Sequence, residues 1–308
     1  MPRNARMIVE GESAVYHVIS RTALDGYVIG DVEKEYLLKL IKRLSGVYFA
    51  EILGFCLMGN HWHLVARMHL GGEYSDEEIG RRFEKYYENE KKKILMANQI
   101  PTFREKWSSL SEFIKEIKQG FSRFYNKRHK RKGFFWNDRF KSVLVENGET
   151  LINLLAYVEL NPIRAGIVER PEDYRWSSLG YHLQTGNLDG FLSLDFGLQG
   201  AKNKSKVKLL KLYRQFVYEK GSLSSVKGKS ISEQVIKKEA EKGFEIGKVE
   251  RFRLRSRYFT DSGIIGSKEF VRRFGEMLKD VNDFREKRPL SVVGLSGVYS
   301  LKRLSEKV

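Results

Sequence analysis

The segment Gly59-Asn60-His61-Trp62-His63-Leu64-Val65 constrains the fold more than any other part of the chain. Glycine followed by asparagine favours a tight two-residue turn, and the apolar residues after it favour a β-strand. Successive side chains of a strand point to opposite faces, so His61 and His63 share one face while Trp62 anchors the other in a core. Two imidazoles on one sheet face can hold a metal ion, or they can be ordinary half-exposed polar positions.

The elements predicted around this segment follow a known supersecondary order. In chain order they are a strand at 14–21, a helix at 31–45, a strand at 47–58, a strand from 61 to about 68, a helix from 108 or 109 to about 129, and a strand at 134–146. The order β-α-β-β-α-β is the ferredoxin-like plan. We therefore predict an α+β protein with an antiparallel sheet, helices on one face, and the other face free for a site.

Three regions follow from this pattern. Residues 1–185 form a main domain, with a Lys- and Glu-rich helical insertion at about 70–105 that is typical of a solvated lid. Residues 186–230 are a basic connector that ends in a linker rich in Gly, Ser and Lys. Residues 231–308 form a small, mainly helical C-terminal extension, which either reads DNA or packs as an appendage, and it includes a basic strand-like piece at 251–255.

The charge balance bears on the partner. The formal net charge of +17 and the sequence pI of about 9.7 favour a polyanion such as nucleic acid, although a merely basic protein would show the same balance. Cys56 is the single cysteine, which excludes a disulfide or zinc–cysteine site within one chain and suits a reducing cytoplasm. No signal peptide or membrane-spanning segment is expected, and no contact with a membrane is predicted.

Basic and aromatic residues alternate between positions 121 and 141, a pattern that suits single-stranded nucleic acid. Cations there can track phosphates while aromatic rings stack on bases. The alternative is a solvated helix end followed by a core strand. The predicted DNA-binding residues are Arg123, Lys127, Arg128, Lys130, Arg131, Lys132, Trp136, Arg139 and Lys141.

Tyr125 and His129 share one face of the second long helix, because they are four residues apart. If that helix packs on the sheet beside the histidine strand, a tyrosine comes near His61 and His63. A divalent ion held by these histidines, with His129 as a candidate third ligand, would polarise a phosphodiester for attack by the phenolate. The alternative is a tyrosine that only packs in the core.

Six blocks of sequence in a fixed order then point to a family. They are Tyr16-His17-Val18 with Arg21, Met58-Gly59-Asn60-His61-Trp62-His63-Leu64-Val65, Phe124-Tyr125-Asn126 with His129 and Gly133, Trp136 with Arg139-Phe140-Lys141, Tyr157-Val158-Glu159-Leu160-Asn161-Pro162-Ile163-Arg164-Ala165-Gly166, and Asp173-Tyr174-Arg175-Trp176-Ser177-Ser178. With these blocks the chain resembles the single-tyrosine HUH transposases, and especially the REP-associated tyrosine transposases. The resemblance runs from about residue 9 to residue 182.

The resemblance implies a catalytic role for residues 1–185. It implies that His61 and His63 are metal ligands, that Tyr125 is the nucleophile, and that His129 stands where the family has its third ligand. The implied cofactor is Mg²⁺ or Mn²⁺. The implied substrate is single-stranded DNA, cut and rejoined near short hairpins through a 5′-phosphotyrosine, by a monomer or a homodimer.

Other assignments stay open beside this one. The block from Asn161 to Gly166 fits a helix stop and a tight turn, although Arg164 could also contact a phosphate. The protein could be a hairpin DNA-binding or regulatory protein without catalysis. It could also be an RNA-binding module with the same sheet topology, which would not need the histidine pair.

Overall fold

One four-stranded antiparallel sheet organises the chain in the computed structural model. The structure describes residues 9, 11–88, 93–198, 200, 204–222, 228–246, 265–277, 289–291, 297 and 299–300. The strands are β1 (Ala14–Arg21), β2 (Ala50–Leu57), β3 (His61–Met68) and β4 (Lys141–Val145), in the spatial order β2-β3-β1-β4. The predicted α+β class and the antiparallel sheet are confirmed.

The pairing of β1 with β3 fixes which side chains share a face. Ile19 lies directly opposite His63 in the antiparallel register. Because side chains alternate along a strand, His61 and His63 project from one face of the sheet, which we call the histidine face. Trp62 and Leu64 project from the other, which we call the tryptophan face.

Two helices cover the tryptophan face: α1 (Asp31–Ser45) and α4 (Leu110–Arg128). Aromatic rings connect Trp62 to Trp136 and Trp136 to Phe121 of α4, with centroid distances of 6.3 and 5.3 Å. Tyr36 of α1 stacks on Phe124 of α4 at 3.7 Å. Both helices lie where the sequence predicts them, and their apolar stripes meet each other and the sheet.

The histidine face is also covered, by α5 (Glu149–Glu159) and α7 (Ser178–Thr185). Val65 and Cys56 on this face are apolar and fully buried, so the face needs a second layer. Gly54 permits the close approach of α5, since a Cβ there would lie 2.6 Å from Leu155 Cδ2. The prediction that helices occupy one face and leave the other free is therefore wrong.

The fourth strand is shorter than predicted. The sequence favours a strand over 134–146, but β4 covers only five residues. Phe135 and Trp136 are buried in the chain that crosses from α4 to the sheet edge, and Trp136 pairs with Thr22 in a single bridge. Aromatic residues there fill the core without extending the ladder.

The insertion packs against the core by one apolar edge. It contains α2 (Asp76–Tyr86) and α3 (Ile100–Ser108). Ile79 and Trp107 are fully buried, and Arg82 donates hydrogen bonds to the carbonyls of Val47 and Tyr48 at 3.0 Å each. The interpretation as a purely solvated lid is corrected: charged residues face water while the apolar edge extends the core.

The remaining described elements follow α5. They are α6 (Asn161–Arg164), α8 (Lys206–Ser222), α9 (Glu233–Glu241), α10 (Lys268–Met277) and the short strands β5 (Ile265–Gly266), β6 (Leu290–Ser291) and β7 (Tyr299–Ser300). Helix α8, in the predicted connector, packs against α5, and Arg214 joins it to Glu172 and Glu239. The predicted basic piece at 251–255 lies outside the described residues. Within the described chain, no helix has the length and apolarity needed to cross a membrane.

Candidate active site

A cavity of about 470 Å³ opens on the histidine face, where several elements meet. The start of β3, the end of β1, the segment before β4 and the end of α5 form its walls. Its lining residues are Ile19, Arg21, His61, His63, Asn137, Asp138, Arg139, Lys141, Tyr157 and Asn161. The cavity thus brings two imidazoles, a phenol, side-chain amides and several cations together.

Hydrogen bonds orient the imidazoles. His61 Nδ1 lies 2.7 Å from Asn60 Oδ1, so this nitrogen donates and Nε2 keeps its lone pair. His63 Nδ1 lies 3.0 Å from His17 Nε2, and the two rings stack with centroids 5.2 Å apart. When His63 donates in this pair, its Nε2 is also left with a free lone pair. Such supporting bonds are how proteins orient histidine ligands of metals.

Burial keeps these imidazoles neutral at neutral pH. Desolvation lowers the pKa of His61 to about 4, and the nearby positive charge of Arg21 adds to the effect. Desolvation lowers the pKa of His63 to about 3, with smaller contributions from His17, His61 and Arg164. The neutral ring is the form that donates a lone pair to a metal, so no deprotonation is needed before binding.

Tyr157 stands beside the histidines at the end of α5. Its ring centroid lies 5.9 Å from that of His63 and 6.2 Å from that of His17, and 44% of the residue is exposed. The guanidinium of Arg164 lies 4.5 Å from the ring centroid. Asn161 is one helical turn later, and its Nδ2 donates to the carbonyls of Tyr157 and Val158 at 3.1 and 3.2 Å. Its Oδ1 accepts no hydrogen bond from the described residues.

The structure does not bring Tyr125 and His129 into this cavity. Tyr125 is 5% exposed and packs against His129 and Phe135, with centroid distances of 4.1 and 4.4 Å. Burial, and to a lesser extent the charge of Glu33, raises its pKa. His129 Nε2 lies 3.0 Å from Glu33 Oε1 of α1. Of the four predicted catalytic and metal-binding residues, only His61 and His63 meet within one chain.

The cause of this separation is the face on which α4 packs. Strand alternation sends His61 and His63 away from Trp62, whereas the ring contacts of Phe121 and Trp136 attach α4 to the Trp62 side. A side chain on α4 therefore has the sheet between itself and the histidines.

Sequence reasoning did not place Tyr157 beside the histidines, because the block that ends α5 fits a helix stop. A signal was present in β3, where Val65 lies on the same face as His61 and His63. An apolar residue on that face predicts a second helical layer over it, and α5 is the next helix after α4 in the chain.

The donors in the cavity suit a divalent cation. Among the described residues, no three side chains of His, Cys, Asp or Glu are placed to hold a metal ion. His61, His63 and Asn161 line one cavity, so two imidazoles and an amide are available as ligands and other positions are left to water and phosphate oxygens. Such a mixed nitrogen and oxygen set is compatible with Mn²⁺, and with Mg²⁺ when phosphate oxygens complete the coordination.

The predicted DNA-binding residues divide among three areas. Arg139 and Lys141 line the cavity together with Arg21, and none of these three side chains has an ion-pair partner among the described residues. Arg123 and Trp136 border a groove on the α4 side. Arg128 at the C-terminal end of α4 pairs with Glu33. The other predicted residues lie around the same helix end: Lys127, Lys130, Arg131 and Lys132.

Comparison with known proteins finds a likeness to a solved structure. No protein-family model matches the chain, and no curated protein matches its sequence. A solved structure described as the REP-associated tyrosine transposase bound to a REP hairpin is similar to it, with a TM-score of 0.41 and 14% sequence identity. The similarity covers 63% of this chain and 90% of that chain.

Proposed function

We propose that the protein is a metal-dependent DNA strand transferase of the single-tyrosine HUH transposase type, with Tyr157 as its nucleophile. The observation that carries the proposal is the meeting of Tyr157 and Asn161 with His61 and His63 in one cation-lined cavity. The sheet order β2-β3-β1-β4 supports the ferredoxin-like plan as the scaffold. The substrate is single-stranded DNA near a hairpin, and the site of action is the cytoplasm.

His61, His63 and Asn161 would hold Mg²⁺ or Mn²⁺. When bound, the ion polarises a non-bridging oxygen of the scissile phosphate and makes the phosphorus a better electrophile. Arg21, Arg139 and Lys141 attract the flanking phosphates, because their charges are not neutralised by other described residues.

Tyr157 performs the exchange of phosphodiester bonds. Its phenolic oxygen forms a bond to phosphorus while the bond from phosphorus to the 3′-oxygen breaks. The phenol proton passes to solvent and the 3′-oxygen takes up a proton, so the products are a 5′-phosphotyrosine and a 3′-hydroxyl. Rejoining is the reverse attack by a 3′-hydroxyl, and it needs no nucleotide because the phosphoester bond is conserved.

Arg164 prepares Tyr157 for this attack. Its guanidinium lies over the ring, and its Nη1 donates a hydrogen bond to the Tyr157 carbonyl at 3.1 Å. A cation at this position stabilises the negative charge that develops on the phenolic oxygen. The same guanidinium is close enough to the cavity to lower the pKa of His63.

Tyr125 is the alternative nucleophile. Because the sheet separates it from the histidines of its own chain, it could act only on the histidines of a second chain in a homodimer. In that arrangement Tyr125 would have to leave its contacts with Phe121 and Phe135. The exposed Tyr157 needs no such rearrangement.

A covalent-adduct assay tests the assignment with a matched pair of variants. We would incubate each protein with Mg²⁺ or Mn²⁺ and a labelled single-stranded hairpin DNA, then measure the DNA bound covalently to protein. Tyr157→Phe should lower adduct formation by more than about 10³-fold, the scale of losing a nucleophile, while hairpin binding persists. Tyr125→Phe removes the same hydroxyl from the opposite face and should form the adduct.

Three other outcomes would contradict the assignment of the nucleophile, of catalysis, or of the substrate. An adduct that persists in Tyr157→Phe and disappears in Tyr125→Phe would transfer the role to Tyr125 and require a dimer. Binding without an adduct in any variant or metal would favour a hairpin DNA-binding protein. Preference for RNA over DNA of the same sequence would favour the RNA-binding alternative.

A further inference from the structure

A second concave surface lies on the α4 side of the molecule. It has a volume of about 700 Å³ and runs between the outer side of α4, from Ser111 to Asn126, and the segment 133–140. We call it the α4 groove. Its size falls in the range of roughly 300–1,000 Å³ that encloses small ligands, which corresponds to one or two nucleotides rather than a duplex.

The α4 groove and the histidine cavity share part of their lining. Asp138 and Arg139 line both spaces. These residues lie in the segment that leads from α4 on the tryptophan face to the edge strand β4. A chain bound in the groove can therefore pass around the edge of the sheet and reach Tyr157 on the opposite face.

Phe134 is the exposed aromatic ring of the groove. It is 76% exposed, whereas Trp136, which the sequence predicted to contact DNA, is only 8% exposed. The indole Nε1 of Trp136 donates to the Lys118 carbonyl at 2.9 Å, so this ring is fixed in the wall. A large apolar ring left in water beside cations is the arrangement on which a nucleobase stacks.

Two guanidinium groups supply charge at the two ends of the α4 groove. Arg123 lies on α4 and Arg139 at the junction with the histidine cavity. Neither side chain has a hydrogen bond or an ion pair with another described residue. Glu112 and Asp138 are the acidic residues of the groove, against four cations, and Glu112 is already paired with Lys115 at 2.8 Å. The net charge of the remaining groove side chains is positive, which complements the phosphates on either side of a stacked base.

We propose that the α4 groove binds the single-stranded DNA next to the scissile phosphate, with one base stacked on Phe134 and the neighbouring phosphates bound by Arg123 and Arg139. This inference rests on the proposed function, because it makes the groove an extension of the same active site. A base can reach Phe134 only when it is unpaired, so the groove selects a single-stranded flank and the hairpin stem lies elsewhere.

Fluorescence of 2-aminopurine tests the groove separately from catalysis. The base would be placed at each position flanking the cleavage site, in complexes with Tyr157→Phe so that no chemistry intervenes. We expect quenching at one or two adjacent positions on one side of that site. Phe134→Leu should remove this quenching and weaken binding by about 5- to 150-fold, the scale of one lost stacking contact. Phe134→Tyr should retain both.

Ile94→Ala is the control, because Ile94 is as exposed as Phe134 but does not line the groove. It should bind like the parent protein. Quenching that Phe134→Leu leaves unchanged, or equal binding of a fully double-stranded flank, would overturn the groove proposal even if the wild-type protein forms the adduct. Tighter binding of the same flank as RNA would overturn its assignment to DNA. Phe134-dependent quenching without any adduct in the wild-type protein would support the groove and contradict the proposed catalysis.

Discussion

Two helices on opposite faces of one sheet carry the same local pattern with different surroundings. Tyr125 of α4 is followed after four residues by His129, just past the helix end, and Tyr157 of α5 is followed after four residues by Asn161, at the start of α6. Tyr125 is buried among aromatic rings, whereas Tyr157 is nearly half exposed beside His63. The four-residue spacing is thus shared by both pairs, and the sheet face decides which pair can reach His61 and His63.

The polar residue four positions after each tyrosine also has different contacts on the two faces. His129 is engaged by Glu33 of α1, which is 8% exposed at its side chain and needs a partner for its charge. Asn161 uses its amide nitrogen on the helix backbone and keeps its oxygen for the cavity. His129 therefore stabilises the packing of α1 against α4, whereas Asn161 can act on a ligand.

Replacing Asn161 and His129 in turn should give the largest difference between the two faces of the sheet. Asn161→Ala is expected to slow adduct formation by about 10- to 100-fold, the scale on which losing one group around a metal lowers affinity or activity. His129→Ala should stay within about threefold of the wild type, as substitutions away from a site usually do. The initial rate of adduct formation, measured across a Mn²⁺ titration, checks both.

The metal titration separates a ligand from a structural residue. If Asn161 is a ligand, Asn161→Asp should retain most of the rate and Asn161→Ala should recover part of it at high Mn²⁺. A rate that is lost in His129→Ala and retained in Asn161→Ala would show that the α4 pair is the functional one.

A second comparison concerns the glycines that let each helix approach its neighbour. A Cβ at Gly54 would lie 2.6 Å from Leu155 of α5, and a Cβ at Gly120 of α4 would lie 2.9 Å from Leu40 of α1. Gly54→Ala should destabilise the protein by about 1–3 kcal/mol through overpacking. It should also slow adduct formation by about tenfold, because a displaced α5 moves Tyr157 away from the histidines.

Gly120→Ala is the matched substitution on the other face. Alanine favours a helix over glycine by about 1 kcal/mol, which offsets the crowding of Leu40 and leaves stability nearly unchanged. The rate of adduct formation should not change, because α4 does not line the cavity. Urea unfolding and the adduct assay measure the two quantities, and equal loss of rate in both variants would contradict the special position of α5.

The sequence predicts the local structure well where one pattern dominates. The alternation in His61-Trp62-His63 places both histidines on one face, and the apolar spacing of α1 and α4 gives helices whose ends match the structure within two residues. The fourth strand was overextended because Phe135 and Trp136 have high strand propensity, although tertiary packing places them in a crossing segment.

The sequence does not show on which face of the sheet each helix packs. An amphipathic helix shows that it packs on an apolar surface, but both faces of β3 offer one, through Leu64 on one side and Val65 on the other. The assignment of α4 to the tryptophan face depends on long-range contacts of Trp136. No spacing within α4 records those contacts, so Tyr125 and Tyr157 were indistinguishable by local pattern.

The smallest predicted effect concerns the stability that the protein loses in acid, and it depends on a buried histidine of α7. His182 of α7 is buried, and neither of its ring nitrogens has a hydrogen-bond partner within the described chain. Desolvation, followed by the charge of Lys206, lowers its pKa to about 3. Below the unfolded value of about 6.5 the unfolded chain binds a proton that the folded chain does not, so the free energy of unfolding falls as the pH falls.

His182→Leu should remove this pH-dependent part of the free energy of unfolding, since leucine has similar bulk and cannot be protonated. Between pH 7.5 and pH 6.0 the wild type should lose about 1 kcal/mol more of its free energy of unfolding than the variant does. Urea unfolding at the two pH values, in the presence of a chelator, measures the difference. Tyr27→Phe, a substitution at an exposed position outside α7 and α8, should keep the wild-type pH dependence. An unchanged pH dependence in His182→Leu would mean that the ring is protonated in the folded protein, and that water reaches the layer between α7 and α8.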